Sequence, residues 1–314
     1  MKDNSQLLVK AAQLYYDSGV NQSDIANILG VSRPTVSRLL DKAREEGIVE
    51  IIVHDPIDKG QELSNQLREA FGLRDAVVIT GNYDYEKALE RCCEAAIQFM
   101  DQILQDGDSI GVAWGSVPRI ICRTMKPRDY SNITVVQMVG SLGTGDTDVD
   151  GTRIAMRLAQ LLGGTYCNIY SPIYVHKREV CEYLCEEPSI AATLERAMHT
   201  DVIITGIGSL DNKTTIQRAG YWLESDMDEL RRLGAVGHLL GRPYDKNGEP
   251  IERDGHYIVG APLNSMQNAG WSVGVIAADI KAEATLGAIN GGYVNAIIAD
   301  QHAAKKMLSL KDSL

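Results

Sequence analysis

No uninterrupted apolar run in this chain approaches the roughly 20 residues needed to cross a bilayer, so no membrane span or membrane partner is expected. The start, MKDNSQLLVKAAQLYYDSG, carries two acids and lacks both a long apolar core and a small-residue cleavage site. It does not read as a secretory signal, and a cytoplasmic protein is expected. Six cysteines stand at 92, 93, 122, 167, 181 and 185, without the paired C-x-x-C spacing of a zinc site. Most of them read as small buried hydrophobes in a reducing compartment, with a metal site as the remote alternative, and no cofactor is expected. A P-loop is missing. The glycines at 140–145 run G-x-x-G-x-G instead of G-x-G-x-x-G, so both ATP and NAD are disfavoured.

A cationic surplus is also lacking. The net charge of −11 argues at first against nucleic acid, which needs cations where phosphates approach. The distribution reverses that reading. Residues 1–54 carry six Lys/Arg against seven Asp/Glu, while residues 55–314 hold the other 25 bases and 35 acids. Between 32 and 44, Arg33, Arg38, Lys42 and Arg44 face only Asp41, which supplies a local cationic face.

Leu7, Leu8, Ala11, Ala12, Leu14 and Tyr15 recur at helical spacing, predicting a helix over 5–17 that ends near Gly19. The following stretch, 22–40, has the pattern of a helix-turn-helix. Ala26 is small where two helices cross, and Gly30 can take the positive φ of the turn. Asn21 or Ser23 can cap the second helix; Ser32 can cap the third, with Pro34 in its first turn. Val36, Leu39, Leu40 and Ala43 lie at i, i+3, i+4 and i+7 and pack inward. The other face offers hydroxyls and guanidinium groups to a major groove. Gln22, Ser32, Arg33, Pro34, Thr35, Ser37, Arg38 and Lys42 are the candidate DNA contacts. A β-branched run at 48–54 predicts a strand or wing, Pro56–Gly60 a hinge, and 61–71 a helix. The expected organisation is a winged helix-turn-helix at 1–55, a linker or oligomerisation helix at 56–72, and an effector domain at 73–314. Capping of the larger domain is the other reading of the linker helix.

Beyond residue 73, strands are expected at 76–80, 109–114, 133–139, 166–169, 201–205, 273–277 and 295–299. Amphipathic segments at 84–104, 152–162, 189–198, 225–232, 281–290 and 301–309 fill much of the space between. This alternation predicts an α/β domain with an open, mainly parallel, doubly wound sheet, whose ligands sit beyond the carboxyl ends of strands. Small residues follow those ends: Gly115-Ser116, Gly140-Ser141 within 140–145, and Gly206-Ile207-Gly208-Ser209. Such loops admit backbone N–H groups to an anion, which points to a phosphorylated small molecule, with Lys281 as a phosphate partner.

The order of motifs resembles the SorC/DeoR-type family of bacterial sugar-responsive regulators over nearly the whole chain. The residues that carry it are Ala12-Gln-Leu-Tyr-Tyr16, the 22–40 stretch, Gly111-Val-Ala-Trp-Gly-Ser116, Gly206-Ile-Gly-Ser209, Gly234-Ala-Val-Gly237, and Gly291-Gly-Tyr-Val-Asn295 with Asp300. The resemblance implies an effector domain similar to sugar-phosphate isomerase and deaminase folds. It also implies operator DNA as one partner, a phosphorylated sugar as another, and self-association as a dimer or tetramer. The effector would lie among Gly115, Ser116, Gly140, Ser141, Gly206, Gly208, Ser209 and Lys281. Two departures bear on the ligand. Some relatives have a Schiff-base lysine where this chain has Val139, so covalent capture is not expected. Many have an acid where this chain has His238, whose ring is open to being neutral, cationic or both across physiological pH. A sugar-phosphate isomerase or deaminase with an appended DNA module is the alternative, with His238 and Asp211 as its acid/base candidates; a structural adaptor comes last.

Overall fold

The computed structural model describes residues 2–49, 59–143, 150–210 and 214–311. The chain divides into two compact units, Met1–Asp58 and Lys59–Leu314.

In the first unit, helix α1 (Lys2–Ala12) continues into a π-helical turn, Gln13–Asp17, where one uniform α-helix was expected to residue 17. The wider turn leaves Tyr15 and Tyr16 exposed, and Val20 N–H donates to Leu14 O at 2.9 Å. Helix α2 (Gln22–Leu29) is capped by Asn21, whose side chain accepts from the Ser23 and Asp24 amides. It ends at Gly30 with φ +68°, a conformation that a side chain would strain. Helix α3 (Arg33–Glu45) is capped by Ser32, which accepts from Thr35 N–H. Ile25, Val36, Leu39, Leu40 and Ala43 are buried as the spacing predicted, and Leu8 and Ala11 of α1 complete the core. The expected wing falls mostly at 50–54, outside the described residues.

The second unit opens with helix α4 (Lys59–Phe71), which packs on the sheet it precedes. Ser64 Oγ donates to Gly60 O at 2.7 Å and accepts from Val78 N–H at 2.9 Å, inside the protein. Strand β1 (Asp75–Ile79), helix α5 (Tyr85–Ile103), β2 (Ser109–Val112), α6 (Ser116–Thr124), β3 (Thr134–Gln137), α7 (Gly151–Leu162) and β4 (Thr165–Cys167) then alternate. After them come β5 (Tyr174–Val175), α8 (Arg178–Glu186), α9 (Pro188–Ala197), β6 (Val202–Gly206) and β7 (Gly208–Ser209). The chain continues through α10 (Thr215–Arg218), α11 (Glu224–Arg232), β8 (Ala235–Leu239), β9 (Arg242–Asp245), β10 (Tyr257–Ile258) and α12 (Asn264–Asn268). It closes with β11 (Trp271–Ile276), α13 (Ala282–Asn290), β12 (Ala296–Asp300) and α14 (Gln301–Lys311).

All seven expected strands join one parallel sheet in the order β1-β12-β11-β6-β2-β3-β4. Central strands such as β12 are buried on both faces and therefore read as continuous apolar runs; edge strand β1 alternates. One large apolar cluster includes Val136, Met138, Ile203 and Ile297; another includes Ile110, Val135, Ile204 and Ile298. Successive residues of a strand thus feed opposite layers.

Strand β4 stops at Cys167, short of the expected Ile169. Gln137, fully buried, accepts Ile169 N–H on its Oε1 at 3.1 Å and so takes that donor out of the ladder. The antiparallel three-stranded sheet β7-β8-β9 and the β5-β10 pair were not expected; β5, β7 and β10 have two residues each, too few to show a period.

Ser64→Ala strands the Val78 amide without its buried acceptor. We expect it to lower the unfolding free energy by about 1–3 kcal/mol, read by urea denaturation.

Candidate functional site

Strand order reverses between β2 and β6: β3 and β4 follow β2 toward one edge, while β11 and β12 follow β6 toward the other. Ligands of open α/β sheets bind at such a switch point, beyond the strand carboxyl ends. A cavity of about 280 Å³ lies there, bounded by the β2–α6 turn, the β6–β7 turn, α10, His238 and Lys281.

Helix α6 starts at this cavity. Its N-cap is Gly115, φ +130°, which leaves the first-turn N–H groups without a side-chain cap. Orphan amides at a helix start carry partial positive charge and suit an anion. Trp114, just before, is buried, and its Nε1 has no hydrogen-bond partner among the described residues. Across the cavity, Ala278 holds φ +72°, strained for a residue with a Cβ, and its N–H donates to Asp300 Oδ1 at 3.0 Å. Asp300 also accepts from Ala303 N–H at 2.9 Å. This clamp fixes the 3₁₀ turn Asp279–Lys281, from which Lys281 Nζ donates to Ser209 Oγ at 3.3 Å.

His238 sits on β8, opposite Gly208 of β7. Its imidazole is 5% exposed, with Nε2 lacking a partner among the described residues, and Trp222 stacks edge-on at 5.0 Å between centroids. Burial, and then the Lys281 charge, lower its pKa from 6.5 to about 3. Of the charge states the sequence left open for His238, the lowered pKa selects the neutral ring at physiological pH. Gly208 is required by this ring, because a Cβ there would stand 1.9 Å from His238 Nε2. Gly206 plays a milder version of the same part against Val117 Cγ2, 3.0 Å from its notional Cβ.

The cavity thus gathers Gly115, Ser116, Gly206, Gly208, His238 and Lys281, with Ser209 held against Lys281. Gly140 and Ser141 are not in its wall. The Gly140 N–H donates to Val259 O and the Ser141 N–H to Ser171 O, and a Cβ on Gly140 would meet the Ser171 and Pro172 carbonyls at 2.7 Å. Asp150, the α7 cap, accepts from Ser141 Oγ and the Leu142 N–H. These amides are committed to the protein itself. Asp211 and the Thr144–Gly145 part of the loop lie outside the described residues. Sequence reasoning missed Thr214, Thr215 and Arg218, which also line the cavity. Their helix has only four residues; its one legible mark is the Thr214/Gln217 capping box.

On the other unit, the α3 face is as the sequence suggested. Arg33, Pro34, Arg38 and Lys42 are exposed, and Thr35 and Ser37 partly so. Neither Arg33 nor Arg38 makes an ion pair among the described residues, though Arg38 Nε reaches Pro34 O at 3.5 Å. Lys42 pairs with Glu46 at 3.4 Å, a surface contact that phosphate can displace. Ser32 is spent on capping and on Thr35 Oγ1 at 2.8 Å; Gln22 begins α2 and is partly buried.

Because the folded pKa of His238 is depressed, its stabilising contribution is complete above pH 6.5 and is lost as pH falls toward about 3. His238→Gln should flatten the stability–pH curve over that window by one proton's slope, measured by urea titration. Gly208→Ala should lower stability by about 1–3 kcal/mol through overpacking, with partial recovery when His238→Ala is added.

Comparison with known proteins agrees with this architecture. The Sugar-bind family model, describing a sugar-binding domain, matches residues 55–309, and a Crp-like helix-turn-helix domain matches residues 6–57. The chain is 30% identical over 313 residues to the uncharacterized transcriptional regulator YjhU of Escherichia coli K12, covering 98% of this chain and 95% of that one. It is 28% identical to the deoxyribonucleoside regulator of Bacillus subtilis, with 98% and 99% covered. The crystal structure of the full-length sorbitol operon regulator SorC from Klebsiella pneumoniae superposes with a TM-score of 0.78 at 26% identity, covering 96% of this chain and 98% of that chain. An N-terminal helix-turn-helix, a parallel seven-stranded α/β domain and these full-length likenesses coincide in one chain, which belongs to the SorC/DeoR-type family of sugar-binding transcriptional regulators.

Proposed function

We propose that this regulator binds operator DNA through α3 and that a phosphorylated sugar, seated at the switch-point cavity, controls that binding at an operon of carbohydrate metabolism. The observation that carries the reading is the pairing of uncapped α6 amides with the Lys281 ammonium across one cavity of about 280 Å³. A phosphate placed between them gains charge-assisted hydrogen bonds from both sides. Arg218, exposed at the same cavity, supplies a further cation. His238 Nε2, buried and neutral at physiological pH, faces the site as a hydrogen-bonding group for a sugar hydroxyl. Val139 carries no amine, so the sugar is held without a Schiff base at that position.

The same chemistry speaks against turnover. A general base is effective when its pKa lies near the working pH, and His238 sits at about 3. We therefore read the domain as a sensor and not as an isomerase or deaminase. An effector can shift operator affinity only through its difference in affinity between the free and DNA-bound arrangements. Self-association as a dimer or tetramer would place two or more α3 helices on repeated half-sites.

Thermal-shift titration should show stabilisation by a phosphorylated sugar and none by its free sugar, as binding to the native state requires. Lys281→Ala should weaken that binding at least tenfold. Stabilisation by free sugars alone would sink the phosphate reading. Separately, Arg33→Ala or Arg38→Ala should weaken operator binding and reduce the slope of log K against log salt by about one for each lost phosphate contact. Incubation with phosphorylated aldoses and ketoses should give no product.

A further inference from the structure

Another cavity of the second unit, larger than the one at the switch point, lies elsewhere. It measures about 680 Å³ and is bounded by β5, β10, α8, α12 and the chain after β9. Its three arginines are not paired alike. Arg178 pairs with Glu252 at 3.6 Å and lies over the Tyr257 ring. Arg253 pairs with Asp226 at 2.5 Å and Glu229 at 2.8 Å. Arg242 has no carboxylate within ion-pair distance among the described residues.

What Arg242 does have is backbone. Its Nη1 donates to Leu240 O at 3.3 Å, and its Nη2 to Ile258 O at 3.4 Å and Gly260 O at 3.0 Å. A guanidinium carries five N–H donors, so those three bonds orient it without exhausting it. Burial lowers its pKa only to about 10, so it remains a cation at neutral pH. Two titratable groups beside it stay uncharged at neutral pH and do not neutralise it: burial raises the Tyr174 hydroxyl, and the Cys181 thiol is pushed up to about 11. Glu182, Glu252 and Asp254 also belong to the cavity wall but stand exposed at its rim. A sequestered cation without a counter-ion is costly, and a bound anion offsets that cost.

Around this cation the walls are aromatic. Tyr174, Trp222, Tyr257 and Tyr293 line the cavity, with His256 edge-on to Tyr174 at 6.2 Å. We propose that this cavity is a second ligand site, for a small organic anion whose carboxylate or phosphate sits on the Arg242 guanidinium and whose ring-sized body lies against Tyr174, Trp222 and Tyr257. The site is separate from the switch-point cavity in residues and in charge, and the two adjoin at Trp222, which lines one and stacks on His238 of the other. An occupant here therefore presses on the side chain that backs the sugar site, a route by which a second metabolite could tune the first.

The test is calorimetric titration of the full chain with benzoate, phenyl phosphate and, as the uncharged control, benzyl alcohol. Saturable binding of one benzoate or one phenyl phosphate per chain is expected, with benzyl alcohol at least tenfold weaker; the tighter of the two anions identifies the head group. Arg242→Met should weaken the anion at least tenfold, and Arg242→Lys, which keeps the charge but loses the fork, should weaken it less. Should the Met variant fail to fold, the Lys variant decides alone. Absence of saturation by either anion, equal binding of benzyl alcohol, or an unchanged Kd in the folded variants would overturn the proposal.

Discussion

The register between Ser109–Val112 and Val202–Gly206 is the constraint on which the sensing end of the molecule depends. These parallel neighbours are distant in sequence, and a pair of side chains locks their amino ends together. Asp201 Oδ2 accepts from both the N–H and the hydroxyl of Ser109, at 2.8 and 2.7 Å, while Asp201 N–H donates back to Ser109 Oγ at 3.0 Å. Strands that start level at this lock finish level at the other end, where the chain turns into α6 on one side and β7 on the other. A shift of one residue would reverse the faces of the apolar side chains and separate the two glycine turns. The geometry of the cavity is therefore decided by hydrogen bonds at the far end of the sheet.

From that register the rest of the site follows as a series of close approaches. β7 runs antiparallel to β8, which brings His238 over Gly208 so tightly that no Cβ fits between. Asp300 holds the strained Ala278, and through it the short turn that delivers Lys281 to Ser209. Strain and dehydration concentrate at this proposed effector site, an arrangement that holds its donors in place without a ligand. The DNA-binding unit rests on different means: an α3 helix fixed by Ser32 and by the buried Val36, Leu39, Leu40 and Ala43, with its guanidinium groups left to solvent.

Much of this was legible from residues alone. Local rules placed the α2 and α3 caps, the Gly30 turn and the inward face of α3. Short apolar runs marked all seven strands of the parallel sheet, most plainly the inner ones, such as β11 and β12, that are buried on both faces and leave an unbroken run. What stayed hidden depends on contacts far apart in sequence. Gln137 shortens β4 by capturing an amide of Ile169, a partner that no local pattern reveals. Two-residue strands such as β7 have no period to read. Glycine in a strand-to-helix turn looks the same whether it admits an anion, as Gly115 can, or another stretch of backbone, as Gly140 does at Ser171 and Pro172. His238 needed its surroundings as well: only its burial beside Lys281 shows the ring to be neutral.

The measurement that tests the account most directly is a crystal structure of the full chain with the phosphorylated sugar that gives the greatest thermal stabilisation. The account predicts the phosphate at the start of α6, within hydrogen-bond distance of the Ser116 amide and of Lys281 Nζ. A phosphate seated on the Gly140–Ser141 loop or on Arg242, with the switch-point cavity left to water, would contradict it.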